Sequence, residues 1–170
     1  AGRLHMDKDG RLARSGRPDE RARKRFLAEP FFRRRPPKSV DKSAFGADFL
    51  RRHFGRITRA KLNGVMATLN LFTALSIEES YRRFILAEHD IREVVVSGGG
   101  ALNAALMENL ARRLKPIPVV TSQRFGLPVM AKEAVAFAWL GLRAWQGRPN
   151  NCPQATGARG RRILGKVVPA

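Results

Sequence analysis

The sequence predicts a small α/β domain in which at least part of the sheet is parallel. Residues 93–97 and 117–121 are short β-branched runs of the buried-strand type, and helical patterns of about 15 residues separate and follow them. A third strand-like run, 162–168, lies near the end of the chain. Because three strands form a thin sheet, this count fits half of a nucleotide-binding protein better than a complete one.

The length and composition are those of a globular protein with one hydrophobic core. The chain has 170 residues, of which 44% are hydrophobic, which argues against disorder throughout. No apolar run approaches the roughly 20 residues of a membrane-spanning helix, and charged residues interrupt each apolar stretch near Ala1, so no signal peptide is expected. The single cysteine, Cys152, cannot form an internal disulfide, which fits a reducing compartment such as the cytoplasm.

Positive charge is the unusual feature of the composition. The net charge is +19, and residues 1–61 contain 19 Lys and Arg against 7 Asp and Glu. The basic residues have no interleaved aromatic residues, and no zinc-ligand, RNA-recognition or helix-turn-helix pattern accompanies them. We therefore expect an arginine-rich solvated surface rather than a nucleic-acid partner. A basic nucleic-acid-binding module, or a basic face for an acidic partner or phosphorylated ligand, remains the alternative.

Residues 1–41 are expected to form a basic lead-in to the domain. Its first part, residues 1–17, has glycines among charged residues and is expected to be irregular. Residues 18–28 begin with proline and two acids, which predicts a helix. Residues 30–38 contain three prolines and are therefore expected to form a loop. Two aromatic side chains are expected to hold this loop in place: Phe31 and Phe32.

The sequence predicts no metal site. Asp7, Asp9 and Gly10 resemble the beginning of a calcium-binding loop. Such a loop needs a bidentate glutamate at its twelfth position, which is Pro18 here, so the pattern argues against calcium. Three scattered histidines are assigned to neither metal binding nor catalysis: His5, His53 and His89.

Residues 42–170 are expected to form the folded domain. A short helix is predicted over residues 42–53, and two helices are predicted within 58–88. The break between those two is expected near Ser76, because Ser-Ile-Glu-Glu is typical of an N-cap and a first turn. A further apolar helix is predicted over 132–146. Its tryptophans are expected to pack in the core rather than to bind a ligand: Trp139 and Trp145.

The run Ser97-Gly-Gly-Gly-Ala-Leu-Asn103 joins the first strand to a helix predicted over residues 101–115. Three glycines allow positive φ values and a close approach of the backbone to a ligand. The N–H groups at the beginning of the helix would stabilise a phosphate, and Asn103 could either cap the helix or donate to the ligand. Because the run is neither a Walker loop nor a complete GxGxxG motif, a nucleotide site and a tight turn without a ligand both remain open.

Three segments follow one another in an order that is more specific than any single glycine loop: VVVSGGGALNAALMENLARRL, GLPVMAKEAVAFAWLGLRAWQGRPNN and ATGARGRRILGKVVP. Upstream, PFFRRRPPKS and ATLNLFTALSI extend the pattern over nearly the whole chain. Together they resemble the C-terminal half of the anhydro-N-acetylmuramic acid kinases, in the actin/hexokinase/heat-shock ATPase superfamily. The resemblance implies the C-terminal lobe of an actin-like (ribonuclease H-like) ATPase fold, with a small mixed sheet packed with helices.

The resemblance also implies an activity and its cofactors. Enzymes of this family cleave the 1,6-anhydro ring of anhydro-N-acetylmuramic acid and phosphorylate O6 with ATP and Mg²⁺. The product, N-acetylmuramic acid 6-phosphate, belongs to peptidoglycan recycling in the cytoplasm. The intact enzyme could form a homodimer, and no membrane partner is implied.

The site residues follow from the same resemblance. Gly98, Gly99, Gly100 and Asn103 would face ATP, and Glu133 would hold the sugar. The helix dipole also favours a glutamate in the first turn of a helix, so a solvated carboxylate is the structural alternative for this residue. Two further segments match a loop and a tail motif of the family and are expected to have a structural role rather than to bind substrate: Lys38-Ser39 and Thr156-Gly157-Ala158.

The chain departs from the family pattern at three places. Leu102 stands where the family usually has a histidine, and Met130 stands where it has an aspartate. Residues 38–43 read KSVDKS instead of a KSTGRE-like loop.

No residue of the chain is assigned a catalytic role. The family's catalytic aspartate, in a DTGPGN-type motif, and its phosphate-binding N-terminal lobe would precede Ala1, and neither Asp7 nor Asp9 matches that aspartate. Since a nucleophilic water needs a general base, the chain alone is expected to be inactive and to need an N-terminal lobe in cis or in trans. A truncated kinase and a non-catalytic nucleotide-binding remnant both fit this expectation.

Overall fold

The structure is a computed structural model, which describes residues 6–168 of the chain. His5 lies outside the described residues. The described part contains eight α-helices and two β-strands, in the order α1 (Arg11–Ser15), α2 (Ala22–Leu27), α3 (Pro30–Arg33), α4 (Ala47–Phe54), α5 (Leu62–Phe84), β1 (Val94–Val96), α6 (Ala104–Arg113), β2 (Val119–Thr121), α7 (Lys132–Trp145) and α8 (Pro153–Thr156).

The two strands pair in parallel. Val94 lies beside Val119 and Val96 lies beside Thr121, with α6 as the connection between the strands. This confirms the two central strands and their parallel direction. Within the described residues the sheet has these two strands only, so the expected third strand at residues 162–168 is wrong, and the mixed sheet is not seen there.

Residues 162–164 are held by asparagine side chains instead of strand pairing. Asn150 Oδ1 accepts from the backbone N–H of Leu164, and Asn151 Oδ1 accepts from the N–H of Arg162 at 2.7 Å. The two asparagine side chains thus bond the backbone of Arg162 and Leu164, at positions where a strand would pair with a neighbouring strand.

Helix α5 is continuous over 23 residues, so the expected break near Ser76 is wrong. The Ser76 hydroxyl donates to the Thr73 carbonyl at 2.8 Å, within the helix, and does not cap a new one. The helix is buried on two sides, one that includes Val65 and Phe72 and one that includes Ala74 and Glu78. Helices α1, α2 and α6 pack against it.

A cluster of aromatic side chains forms the core between α2, α4 and α5. Phe26 is fully buried, and its ring centroid lies 5.3 Å from that of Phe49 and 4.7 Å from that of Phe72. His53 packs edge-on against Phe26, and its Nε2 lies 2.9 Å from Glu29 Oε1. The contacts of this histidine are therefore those of a core residue.

The lead-in contains more regular structure than expected. Residues 11–15 form α1, because the Asp7 carboxylate accepts from the backbone N–H groups of Leu12 and Ala13 at 2.9 and 3.1 Å. The expected irregular segment is thus partly helical. The expected loop also begins with the short helix α3, where Pro30 occupies the first turn.

Two predicted helices differ from the observed ones at their ends. Helix α2 begins at Ala22 rather than at Pro18, after Asp19 Oδ1 accepts from the backbone N–H of Arg21. The helix expected over 42–53 is divided at Gly46 into a 3₁₀ turn, Lys42–Phe45, and α4.

A second core lies between α5, α6 and β1, and consists of aliphatic residues. Ala74, Val94, Leu110 and Leu114 are buried there. At its edge the buried carboxylate of Glu78 accepts from Arg82 Nε at 3.0 Å and from Arg113 Nε at 2.7 Å. This ion pair joins α5 to α6.

Helix α7 confirms the helix predicted over 132–146, but it is not a core helix. None of its residues is buried, and Trp139 and Trp145 expose 53% and 76% of their surface. The expectation that these tryptophans pack in the core is therefore wrong within the described residues. No helix in the described range is long and apolar enough to span a membrane.

Candidate functional site

The glycine turn begins where β1 ends. Gly98 has φ +80° and ψ −173°, a conformation that is essentially restricted to glycine. Its N–H donates to the carbonyl of Val129 at 2.6 Å. The turn is therefore fixed against the loop that leads into α7.

The turn continues as a 3₁₀ turn, Gly99–Leu102, and not as the first part of the predicted helix. Helix α6 begins three residues later than expected, at Ala104. A Cβ placed on Gly98 or Gly99 would have no heavy atom of the described protein within 4 Å, and one on Gly100 would lie 3.4 Å from Leu106 Cδ2. The surface of the first two glycines is open.

Asn103 caps α6. Its Oδ1 accepts from the backbone N–H of Leu106 at 3.0 Å and from Asn70 Nδ2 at 3.1 Å. Asn109 Nδ2 in turn donates to Asn70 Oδ1 at 2.9 Å. Of the two roles considered for Asn103, the structure gives it the capping role through its oxygen.

Sequence reasoning missed Asn70, which ties the middle of α5 to the glycine turn. A signal was available, since Asn70 interrupts the apolar stretch between Leu69 and Leu71 in a helix that is otherwise expected to be buried. An amide at such a position needs a polar partner.

Sequence reasoning also missed Gly10. This residue is buried with φ +70°, and a Cβ there would clash with Asn103 Oδ1 and lie 2.8 Å from Ala105 Cβ. The backbone of the lead-in thus lies directly against the beginning of α6. The contact spans 93 residues of sequence, and nothing local in the sequence marks it.

Glu133 lies in the first turn of α7 and is exposed. It follows Val129, the residue that accepts from Gly98, by about one helical turn of chain. No hydrogen bond among the described residues joins Glu133 to the glycines. Two apolar side chains are exposed on the same segments, Leu102 at 54% and Met130 at 64%.

Lys38 has structural contacts. Its Nζ donates to the Phe31 carbonyl at 3.2 Å and lies 4.7 Å from the centre of the Phe31 ring and 5.2 Å from that of Phe84. Burial, followed by the neighbouring charges of Arg83 and Arg34, lowers the pKa of the Lys38 ammonium below its ordinary value of 10.5.

The segment Thr156-Gly157-Ala158 lies beside the proline-rich loop. Thr156 Oγ1 donates to the Cys152 carbonyl at 3.0 Å, and a Cβ on Gly157 would lie 3.3 Å from Pro37 Cγ. The structure therefore places Gly157 against Pro37, the residue that precedes Lys38-Ser39, through a packing contact.

A separate pocket of about 420 Å³ opens into the aromatic cluster. Its polar lining consists of two hydroxyls, and both donate within α5, Thr73 to Leu69 and Ser76 to Thr73. Among the described residues, no charged side chain lines the pocket, and no acid or base lies beside the two hydroxyls to activate them.

The parallel strand pair, the intervening helix and the packed helices place the described residues in the class of small mixed α/β domains. Comparison with known proteins gives the family. The family model described as anhydro-N-acetylmuramic acid kinase matches residues 1–170. The chain therefore belongs to the anhydro-N-acetylmuramic acid kinase family, which confirms the resemblance in the sequence.

Curated relatives carry the same description. The chain is 40% identical to an anhydro-N-acetylmuramic acid kinase of Pseudomonas syringae pv. tomato over 164 residues. These residues are 96% of this chain and 44% of the relative. It is 39% identical to one of Salinibacter ruber, over 95% of this chain and 41% of the relative. It is 33% identical to one of Caldanaerobacter subterraneus, over 98% of this chain and 42% of the relative. The chain thus spans less than half the length of these relatives.

Proposed function

We propose that this chain is the C-terminal part of an ATP-dependent anhydro-N-acetylmuramic acid kinase that acts in peptidoglycan recycling in the cytoplasm. The whole enzyme would cleave the 1,6-anhydro ring of its sugar and phosphorylate O6, giving N-acetylmuramic acid 6-phosphate. Family membership over the full 170 residues supports this function.

The observation that carries the proposal is the open glycine turn between β1 and α6. Gly98 requires glycine for its backbone conformation, whereas Gly99 is not required by any neighbour among the described residues. A glycine with free space around it suits a backbone that a ligand approaches closely. The beginning of α6 adds the positive end of a helix dipole, which favours phosphate.

We further propose that residues 42–170 form the C-terminal lobe of an actin-like, ribonuclease H-like ATPase, with residues 1–41 as its lead-in. The parallel pair β1 and β2, joined through α6, supports this fold. The lead-in would stabilise the beginning of α6, next to the glycine turn, because Gly10 lies against Asn103 and Ala105.

The residues of this chain would bind and orient the substrates. Gly98, Gly99 and Gly100 would face ATP, and Asn103 would donate from Nδ2, since its Oδ1 is engaged by Leu106 and Asn70. The Glu133 carboxylate would accept hydrogen bonds from sugar hydroxyls. When bound, ATP with Mg²⁺ supplies the phosphoryl group and neutralises the charge that develops in its transfer.

The general base and the metal ligands are assigned to no residue of this chain. The described residues contain no group of three His, Cys, Asp or Glu that could hold a metal ion. We propose that an N-terminal lobe, in cis or in trans, supplies the base and the remaining phosphate contacts, and that closure of the two lobes excludes water.

The direct test restores the missing part. The chain is combined with the remaining segment of the Pseudomonas syringae relative, and ATP-dependent formation of N-acetylmuramic acid 6-phosphate is measured. We expect activity from the combination and none from the isolated chain. Glu133→Ala should abolish the restored activity, and Glu88→Ala, which changes another exposed glutamate, should leave it intact.

Two results would contradict the proposal in different ways. Equal activity of the Glu133→Ala and Glu88→Ala combinations would remove Glu133 from the sugar site. Binding of ATP to the combination without any phosphorylated sugar would favour a non-catalytic nucleotide-binding remnant.

A further inference from the structure

Helix α7 presents a continuous apolar face that no described residue buries. Val135, Trp139 and Leu142 follow a spacing of four and three residues, which places them on one side of a helix. Each exposes 53% of its surface, Trp145 extends this side toward the end of the helix with 76% exposed, and Phe137, on the opposite side, exposes 72%. Scattered apolar residues are common on protein surfaces, but a contiguous patch of large ones marks an interaction site.

The C-terminal half of α7 is fixed to the residues that follow it. The buried amide of Asn150 donates from Nδ2 to the carbonyls of Leu140 and Leu164 at 2.9 and 3.0 Å. Arg143 donates from Nε and from Nη2 to the Pro149 carbonyl at 3.3 and 3.1 Å. The residues after α7 approach Trp139 through Arg143, whose guanidinium lies 5.6 Å from the centre of the indole, but they leave about half of the surface of the apolar face exposed.

The charge around α7 argues against a second copy as the occupant of this face. Basic residues predominate on α7 and the segment that follows it, in which Glu133 is the acidic residue: Lys132, Arg143, Arg148, Arg159, Arg161, Arg162 and Lys166. Two copies that met on α7 would bring these like charges together on chains of net charge +19 each.

We propose that the apolar face of α7 docks against the part of an anhydro-N-acetylmuramic acid kinase chain that these 170 residues do not include. More than half the length of the curated relatives lies outside the matched region, since the chain covers 41% to 44% of three of them. A segment of that size can supply an apolar surface for α7. This inference rests on the proposed function, because it takes the missing part as the partner.

The sequence provides its own probe of this face. The chain has two tryptophans, Trp139 and Trp145, and both lie on α7. The full chain can be produced with 5-fluorotryptophan, so that fluorine NMR observes α7 alone even when the partner contains tryptophan. The difference in chemical shift between H₂O and D₂O then reports the exposure of each indole.

The experiment mixes the labelled chain with the remaining segment of the Pseudomonas syringae relative. We expect both indoles to lose at least about half of their solvent isotope shift on binding. Val135→Glu combined with Leu142→Glu should weaken binding at least about tenfold, because docking would bury two unpaired carboxylates. Val40→Glu places the same charge on an exposed valine outside α7 and should bind as the unchanged chain does.

Three results would overturn the inference: no binding by the unchanged chain, binding by the double variant equal to that of Val40→Glu, or protection of both indoles in a dimer of the chain alone. Circular dichroism shows whether each variant is folded. We expect both variants to fold, because Val40, Val135 and Leu142 are exposed.

Assay of phosphorylated sugar in the same mixtures separates this inference from the proposed function. Binding that depends on α7 but yields no product would refute the function and leave the docking surface. If the double variant formed as much product as the unchanged chain, the docking surface would be refuted and the proposed function would stand.

Discussion

The packed body of the molecule and helix α7 contrast in what covers their apolar side chains. In the body, which comprises α1–α6 and the two strands, α5 is covered on one side by the aromatic cluster and on another by the aliphatic core. Helix α7 is as apolar as a core helix but buries none of its residues. A hydrophobic composition therefore predicts that a helix will be covered, but it does not identify what covers it.

The contrast also separates two kinds of interaction. The body is held by apolar packing, and its polar contacts, such as Glu78 with Arg113, lie at the edge of a core. Helix α7 and the tail are joined by hydrogen bonds from amides, above all those of Asn150. We expect substitutions in the body to lower global stability and substitutions around α7 to change only local opening.

The largest effect is expected from Phe26→Ala. This ring is fully buried among Phe49, Phe72 and Phe54, so its removal should lower the free energy of unfolding by about 3–5 kcal/mol. Phe137→Ala removes the same ring from α7, where 72% is exposed, and should change stability by less than about 0.5 kcal/mol. Urea denaturation followed by circular dichroism measures both. Similar losses in the two variants would mean that α7 is packed in the isolated chain.

The next effect is expected from Gly10→Ala. Its positive φ and the clash with Asn103 should together lower the free energy of unfolding by about 3 kcal/mol. Gly126 also has a positive φ, +75°, but has open space around it, so Gly126→Ala isolates the backbone strain and should cost about 1 kcal/mol. Thermal unfolding of both variants gives the comparison, and equal losses would show that Gly10 does not press against α6.

The fold could be predicted from sequence where the signal is local. The β-branched runs gave both strands, and the apolar pattern of residues 132–146 gave α7. The predicted break near Ser76 is wrong because a serine followed by acids is typical of an N-cap, but its hydroxyl can equally donate to the Thr73 carbonyl inside a continuous helix. The strand predicted over residues 162–168 is wrong, and asparagine side chains bond the backbone of Arg162 and Leu164 there instead.

The candidate site also has a part that could be predicted from sequence and a part that could not. The strand, the three glycines and the asparagine cap all lie within residues 94–103, so they could be identified as one unit. Helix α6, however, begins at Ala104 and not at Ala101. The contacts that support this unit, from Gly10 and Asn70, come from distant parts of the chain. The sequence marks Asn70 as a polar residue in an apolar stretch, but it does not identify the partner of Asn70 or of Gly10, because each contact depends on how α1 and α5 pack on α6.

The smallest global effect is expected from Asn150→Ala. The variant removes the two hydrogen bonds that the amide donates to Leu140 and Leu164 and the one that it accepts from Leu164. The tail should therefore open locally, because each lost bond of a buried amide is worth about 1 kcal/mol. The cores do not include this asparagine, so the urea midpoint of the body should stay within about 0.5 kcal/mol of the unchanged chain.

Hydrogen exchange followed by mass spectrometry measures the two parts separately. In Asn150→Ala, exchange should accelerate about tenfold or more at the amides of Arg162 and Leu164, while amides of α5 keep their rates. Gln146→Ala, which removes an exposed amide at the end of α7, should leave both regions unchanged. If the amides of α5 accelerated together with those of the tail, the body and α7 would unfold as one cooperative unit, and the uncovered face of α7 would not mark a separable part of the molecule.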